Sequence, residues 1–431
     1  MKLKVRNIAK IKSADINING ITVIAGENNT GKSTIGKVVF SMFNSTYSME
    51  QKVKNDRIKK IFHLISHSIS EVRSLGISYN SEKTVRSSSR LRAIKSSLVF
   101  ELSKNLLELK DEQDIYITIS DFFEKNRLMD LSDNVVEIIN NVTKEIKYVI
   151  DIDDISVFSN IIGRYFNGVF NTQINNLLEP DKKAIAEIEI HKKHLKLDFI
   201  DEKCIIDKME YQTLHEAIYI DSPFLFDHMN DNGEFYESSY QDEYLLNKLV
   251  QENSRQTNIF DEIIVNDKLD EIMRMLKEVT PGNLKKNNDL DEYYIQYDNV
   301  PLNIKNLSTG IKAFMIIRTL LEKNVLKKKD IIILDEPEIH LHPQWQLIYA
   351  ELIVLLEKSL DLSIIITTHS PYFLDAINTY SKHHGISEKT NFYLSDIEGK
   401  QAIFEDVTDN LEKIYEKLAK PFDELDSIKY N

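Results

Sequence analysis

Eight residues near the N-terminus have the spacing of a phosphate-binding loop. A glycine, four further residues, then glycine, lysine and serine follow one another as Gly26-Glu27-Asn28-Asn29-Thr30-Gly31-Lys32-Ser33. Glycines let a backbone curl so that its N–H groups point at phosphate oxygens, and a following helix adds the positive end of its dipole. Lys32 would offset charge on the outer phosphates, and Ser33 would offer its hydroxyl to Mg²⁺. The pattern predicts that nucleotide phosphates are bound by Gly26, Asn28, Asn29, Thr30, Gly31, Lys32, Ser33 and Thr34.

A pair of acidic residues follows an apolar run in the last third of the chain. Asp335 and Glu336 come directly after the four apolar residues 331–334. In open α/β sheets ligands bind at the carboxyl ends of the strands, where such a pair would lie. We predict that Asp335 binds Mg²⁺ together with Ser33, and that Glu336 orients and deprotonates the attacking water. A solvated acidic turn is the alternative for such a pair taken alone.

Two further positions have the chemistry of a phosphate site. His369 follows the apolar strand predicted over 363–368, where its side chain would contact a terminal phosphate. Leu307-Ser308-Thr309-Gly310 opens a predicted helix, with Ser308 as its N-cap and Gly310 allowing close backbone approach. Taken alone, the histidine is compatible with a structural residue and the serine with simple helix capping.

Strands and helices alternate around these residues. Apolar strands are predicted over 21–25, 217–220, 331–334 and 363–367, and helices over 311–324, 345–360 and 372–379, which indicates a parallel sheet covered by helices. A first strand is predicted over Lys2 to Ile11, a hairpin over 185–199, helices over 240–279 and a strand over 293–297. Residues 49–181 have a mostly helical pattern without sustained heptads. We therefore predict an α/β domain made of 1–48 and 182–431, a helical insertion over 49–181, and a helical subdomain at about 235–290.

The order of the four motifs resembles that of the ABC-type ATPases. The resemblance implies a parallel-sheet core with antiparallel strands and flanking helices, with ATP and Mg²⁺ as ligands. It also implies a two-fold dimer in which Ser308, Thr309 and Gly310 of one copy act on the nucleotide bound by the other. Thr309 stands where the common signature has glycine, as in ATPases that are not transporters. No glutamine marks the loop that usually follows a central strand, where Ser222 has a comparable place.

The stretch Asp335–Pro343, DEPEIHLHP, is more specific. It resembles the overcoming-lysogenization-defect ATPases, relatives of the structural-maintenance and double-strand-break-repair ATPases. The resemblance places His340 and His342 in a loop that crosses the dimer interface, and two histidines without a third ligand are weak support for a metal site. The wider pattern is similar to the ATPase subunits of the Septu and, less closely, PARIS anti-phage systems. In those systems a separate nuclease partner supplies the damage.

Length, cysteine content and net charge limit the classes of protein to which this chain can belong. The chain has 431 residues, enough for two or three hydrophobic cores, and Cys204 is its single cysteine, which excludes an internal disulfide. A net charge of -14 argues against a generally basic nucleic-acid-binding surface. Neither a signal peptide nor a membrane-spanning run is visible, so we expect a cytoplasmic protein. A local basic cluster is either a solvated helix face or a contact for nucleic acid or an acidic partner; it consists of Arg86, Arg90, Arg92 and Lys95.

These features lead to one main hypothesis and two alternatives. The main one is an ATPase of an anti-phage complex that dimerises through ATP, assembles further, and controls a separate nuclease. A nuclease domain of the topoisomerase-primase type would need roughly a hundred further residues, so we expect no nuclease active site in this chain. The alternatives are a stand-alone ATPase of DNA repair or recombination, and a nucleotide-gated scaffold with little turnover.

Overall fold

The computed structural model describes residues 1–80, 95–128, 134–208, 213–230, 239–250, 259–280, 282–287, 292–298 and 300–430. Its strands are β1 (Lys2–Ile8), β2 (Ile11–Asn17), β3 (Ile21–Gly26), β4 (Ala184–Ile190), β5 (Lys193–Ile200), β6 (Lys203–Ile205), β7 (Ala217–Ile220), β8 (Asn283–Asn287), β9 (Glu292–Tyr297), β10 (Val300–Asn303), β11 (Ile331–Asp335), β12 (Ser363–Thr368), β13 (Thr390–Glu398) and β14 (Gln401–Asp406). Its helices are α1 (Lys32–Thr46), α2 (Met49–Asn80), α3 (Ser96–Leu107), α4 (Glu112–Lys125), α5 (Val135–Asp151), α6 (Asp154–Phe170), α7 (Tyr240–Val250), α8 (Ile259–Val279), α9 (Thr309–Glu322), α10 (Pro343–Leu360), α11 (Pro371–His383) and α12 (Glu412–Tyr430).

The chain divides into two compact units. The larger consists of 1–47 and 159–431, and the smaller of 48–158. The boundary falls within α6, whereas the predicted helical insertion extends to residue 181.

An eleven-stranded sheet forms the larger unit. Its strands lie in the order β6-β5-β4-β1-β2-β14-β13-β3-β12-β11-β7. The run β13, β3, β12, β11 and β7 is parallel throughout, and most pairs on the β1 side are antiparallel. This arrangement confirms the predicted α/β class with a parallel core, antiparallel strands and flanking helices.

The parallel strands are apolar because helices cover both of their faces. All six residues of β3 are buried, as are the first four of β11. On one face, Ile332 and Leu334 belong to a core that includes Phe314 of α9, Tyr349 of α10 and Phe373 of α11. On the other face lies α1. A Cβ atom at Gly36 would lie only 2.7 Å from Ile333, so the absence of a side chain there lets α1 approach the sheet closely.

One detail differs from the sequence-based expectation, and a second confirms a predicted strand and adds its partners. The single strand predicted over Lys2 to Ile11 is instead a hairpin of β1 and β2, which turns through Ala9 at a φ of 46°. The strand predicted over 293–297 is the middle strand of a separate three-stranded sheet, β10-β9-β8.

The smaller unit is helical where it is described. It contains α2 to α5 and the start of α6, and its core includes Ile61, Ile65, Ile119 and Ile139. Of the basic cluster, Arg86, Arg90 and Arg92 lie outside the described residues, and Lys95 precedes α3. Among the helices of either unit, as far as they are described, none is both long and apolar enough to cross a membrane.

Candidate functional site

The phosphate-binding loop connects β3 to α1. Gly26 ends the strand and Gly31 is the N-cap of the helix, with a φ of 81° that favours glycine. Asn29 also has a positive φ, 61°. The first turn of α1 contains no acidic residue, so nothing there cancels the positive end of its dipole. The loop therefore has the curled backbone and the favourable field that phosphate binding requires.

Lys32 lies inside this loop. Its side chain is 4% exposed, and Nζ donates to the carbonyl oxygens of Gly26 at 3.0 Å and Glu27 at 2.8 Å. The same Nζ lies 3.5 Å from Oε1 of Glu336. The lysine thus links the loop to the end of β11, and its charge is held where a phosphate group would be its natural anionic partner.

Three hydroxyl groups surround the carboxylate of Asp335. Ser33 Oγ donates to Oδ1 at 2.9 Å, Tyr219 donates to Oδ2 at 2.7 Å, and the Thr367 hydroxyl also donates to Oδ1. Ser33 and Asp335 are hard oxygen ligands of the kind Mg²⁺ takes, so the pair fits the predicted ion. No cluster of three or more His, Cys, Asp or Glu side chains in the described ranges could hold a metal. Phosphate oxygens and water would therefore supply the other ligands.

Glu336 lies between Lys32 and His369. Its Oε1 faces Lys32, and its Oε2 lies 3.6 Å from Nδ1 of His369, whose side chain is 41% exposed. Its backbone has a φ of 51°, a conformation held because its N–H donates to the carbonyl and the hydroxyl of Thr367, each at 3.1 Å. The carboxylate is thus fixed beside the Ser33–Asp335 pair, where a general base would be needed.

The side chain of Thr30 is buried and makes its hydrogen bonds within the protein. It is 2% exposed, and its hydroxyl donates to the Glu27 carbonyl at 2.8 Å and lies 2.7 Å from Ser395 Oγ. A phosphate contact from Thr30 would therefore come from its backbone N–H. Five of the predicted residues thus make direct contacts with one another: Glu336 contacts Lys32 and His369, and Asp335 contacts Ser33.

The signature segment, Leu307 to Gly310, contacts a different part of the protein from the phosphate-binding loop. Ser308 is the exposed N-cap of α9, and its hydroxyl makes no capping hydrogen bond. A Cβ atom at Gly310 would lie 2.9 Å from the Trp345 ring and 3.5 Å from the His340 carbonyl, so only glycine fits without a shift. The segment therefore packs against the loop that follows Glu336.

Sequence reasoning missed Glu338, whose carboxylate accepts from the backbone N–H of His369. Its Oε1 accepts from the Thr368 hydroxyl and from the His369 N–H at 3.3 Å. Burial raises the pKa of this carboxyl above its usual range, and its Oε2 has no hydrogen-bond partner in the described part of the chain. The only sequence signal was a third acid in DEPE.

Asp221 was also missed. It follows β7, whose Ile220 pairs with Leu334 in parallel register, so its carboxyl comes near that of Asp335. Burial, and then the nearby carboxylates of Asp242 and Asp335, raise the pKa of Asp221 to about 7. An acid directly after a buried strand was the available signal, and it is the same signal that led to Asp335.

This fold and this set of residues define an ATPase domain. Residues 1–374 match the family described as AAA ATPase domain, and the chain belongs to that family.

Individual relatives are distant. The chain is 25% identical to endonuclease GajA of Bacillus cereus (strain HuB5-5) over 414 residues, which is 86% of this chain and 55% of that protein. It is 33% identical to the Retron Ec83 probable ATPase of Escherichia coli over 112 residues, 23% of this chain and 20% of that protein. The chain thus spans about half of the first relative and a fifth of the second.

Solved structures with partial likeness include two heads of SMC proteins. The SMC head bound to the C-winged helix domain of ScpA has a TM-score of 0.39 at 11% identity, covering 94% of this chain and 96% of that one. The SMC head domain from Thermotoga maritima has a TM-score of 0.37 at 11% identity, covering 94% and 98%.

Glu338 makes stability depend on pH. Because its pKa is higher in the folded than in the unfolded chain, the folded state binds more protons, and the wild type loses stability as the pH rises from about 4.5 through the folded pKa. Glu338→Gln lacks this loss. The midpoint of thermal unfolding of the variant, relative to wild type, should therefore rise across that window and then level off. The exposed Glu416→Gln serves as control. Parallel curves for Glu338→Gln and wild type from pH 4 to 8 would contradict the burial argument.

Proposed function

We propose that this protein is an ATP-hydrolysing subunit of a cytoplasmic anti-phage complex, that its ATPase sites form between two copies of the chain, and that it controls a separate nuclease. The observation that carries the ATPase part is the position of Glu336, with one carboxylate oxygen near Lys32 and the other near His369, directly beside Asp335 and Ser33.

Each side chain has a distinct task in hydrolysis. Mg²⁺, when bound, neutralises charge on the phosphate oxygens. Ser33 and Asp335 would hold it, and Lys32 would turn its Nζ from the loop carbonyls toward the outer phosphates. A water oxygen attacks the terminal phosphorus, the bond from that phosphorus to the bridging oxygen breaks, and Glu336 accepts the water proton. His369 would orient the water or the terminal phosphate from the opposite side of Glu336.

The surface around the signature supports a second copy of the chain as part of the site. Ser308 is exposed, and beside the segment Ile339 is 51% and Phe224 46% exposed. The Phe224 ring lies 5.2 Å from that of His340, so these groups form one partly apolar surface. In a two-fold dimer the start of α9 would face the phosphates on the partner's loop, and both sites would be equivalent.

The comparisons support an association with nucleic-acid cutting. One relative is named an endonuclease and the other a probable ATPase of a retron. Together with the resemblance of DEPEIHLHP to overcoming-lysogenization-defect ATPases, this favours a defence ATPase over a repair ATPase. The helical smaller unit, which has its own core, would provide the surface that binds the nuclease partner. Contact with nucleic acid would be made by the complex.

Two substitutions separate ATP binding from hydrolysis. Lys32→Ala should abolish ATP binding with the fold intact, because the cation between loop and phosphates is lost. Glu336→Gln should keep ATP binding and lower phosphate release by roughly two to four orders of magnitude, the usual contribution of a general base. Calorimetry and phosphate release measure the two effects. Unchanged affinity in Lys32→Ala, or near-normal turnover in Glu336→Gln, would show that these roles are wrongly assigned.

A mixing experiment tests whether the site is shared. Ser308→Arg chains lack a working signature and Lys32→Ala chains lack a working loop, so neither alone should hydrolyse ATP. Each mixed dimer contains one intact composite site. Activity should therefore return on mixing, to near half of wild type per mixed dimer if the two sites act independently. A wild-type enzyme that is active as a monomer would overturn the shared site. If proven mixed dimers recover nothing, the independent composite site is wrong.

Purification of the complex tests the defence role. A small nuclease encoded beside this chain should co-purify with it, and its activity should change with Glu336→Gln. Salt-sensitive DNA binding by the isolated chain without a nuclease would instead support the repair ATPase. Assembly that depends on ATP without phosphate release would support the scaffold.

A further inference from the structure

The phosphate-binding loop rests on β13, a strand that lies beyond the 1–374 family match. We propose that Ser395, in the middle of this strand, is a positioning residue for ATP: its buried hydroxyl holds the loop in the binding conformation before the nucleotide arrives. This inference rests on the proposed ATPase function and adds a residue to the same site.

The hydroxyl of Ser395 joins two parts of the loop. The residue is 0% exposed, and its Oγ lies 2.7 Å from Thr30 Oγ1 and 3.2 Å from the Ala25 carbonyl. The Thr30 hydroxyl in turn donates to the Glu27 carbonyl. A single side chain thus connects Ala25, the residue before the first glycine of the loop, to Thr30, the fifth residue of the loop. When Thr30 donates to Glu27, the single proton of Ser395 serves either the Ala25 carbonyl or the Thr30 oxygen, and both hydroxyls are buried.

The backbones are also in close contact at this point. Ser395 pairs with Gly26 in the parallel register of β13 and β3. A Cβ atom at Gly26 would lie 2.3 Å from Ser395 Oγ and 2.4 Å from its carbonyl oxygen. The first glycine of the loop is therefore needed for the approach of β13, in addition to any contact with phosphate.

A second connection between β13 and the loop lies at the surface. Lys417 of α12 donates to Asp396 at 2.7 Å, and its Nζ lies 3.8 Å from Glu27. Asp396 and Glu27 are exposed at 42% and 54%, and ion pairs at such positions contribute little. The buried hydroxyl of Ser395 is the stronger connection.

This connection should act on nucleotide affinity. Several N–H groups of the loop must converge on the phosphates. A loop that is already ordered loses little conformational freedom when it binds them. Without the Ser395 hydroxyl the loop would become ordered only when the nucleotide binds, and the free-energy cost of that ordering would weaken binding. We expect Ser395→Ala to weaken binding of ATPγS with Mg²⁺ about fivefold, the factor that corresponds to one hydrogen bond.

Ser381→Ala is the matched control. Ser381 is also a buried serine, 1% exposed, on α11, and its hydroxyl has no hydrogen-bond partner in the part of the chain that the structure describes. Both variants should remain folded without nucleotide, and only Ser395→Ala should lose affinity. Equal affinity in Ser395→Ala and wild type overturns the proposal. Failure of the wild type itself to bind ATPγS would instead overturn the proposed function.

A double substitution tests whether Ser395 acts through Thr30. Thr30→Val keeps the shape of the side chain and removes its bond with Ser395 together with its bond to the Glu27 carbonyl. In that background Ser395→Ala should cause a smaller further loss of affinity than it does in the wild type, because the bond between Ser395 and Thr30 is already absent and only the contact with the Ala25 carbonyl remains to be lost. Losses that multiply in the double variant would show that Ser395 does not act through this bond.

Discussion

The parallel pairing of β3, β12, β11 and β7 is the constraint on which the site depends. In this register Ala25 lies opposite Thr368, and Thr367 opposite Asp335. Strand ends that are far apart in sequence are thereby placed within hydrogen-bond distance of one another. Thr367 can donate to the Asp335 carboxylate and can also accept the Glu336 N–H only because the register fixes it there. A shift by one residue would turn each of these side chains to the opposite face of the sheet.

At the carboxyl ends of the parallel strands, several carboxylates and the buried Lys32 lie close together. Asp335 and Glu336 are adjacent at this edge and Asp221 lies near Asp335; burial first, and then the carboxylates of Asp242 and Asp335, raise the pKa of Asp221. Lys32 faces Glu336 from inside the loop, and its burial is compensated by two carbonyl oxygens as well as by the Glu336 carboxylate. Such an edge is suited to bind a magnesium ion between an acid and a phosphate, because the ion adds positive charge where it is lacking.

The sequence predicted what is encoded locally. The loop from Gly26 to Ser33, the acids after 331–334 and the alternation of strands and helices all follow from neighbouring residues, and so did the α/β class. Contacts between distant segments did not follow. Tyr219, Ser395 and Thr367 reach the site only through the strand order of the sheet, which periodicity does not specify. The hairpin of β1 and β2 was missed because its turn passes through Ala9 at positive φ, without the glycine or proline that usually marks a turn.

The connection between Ser395 and Ala25 spans 370 residues of sequence. During synthesis the chain grows from its N-terminus, so β3 and the loop leave the ribosome long before either neighbouring strand, β12 or β13, exists. Until then β3 is an apolar strand without partners and the loop lacks its support. The newly made protein would therefore complete its ATP site only late, after nearly all of the chain has emerged.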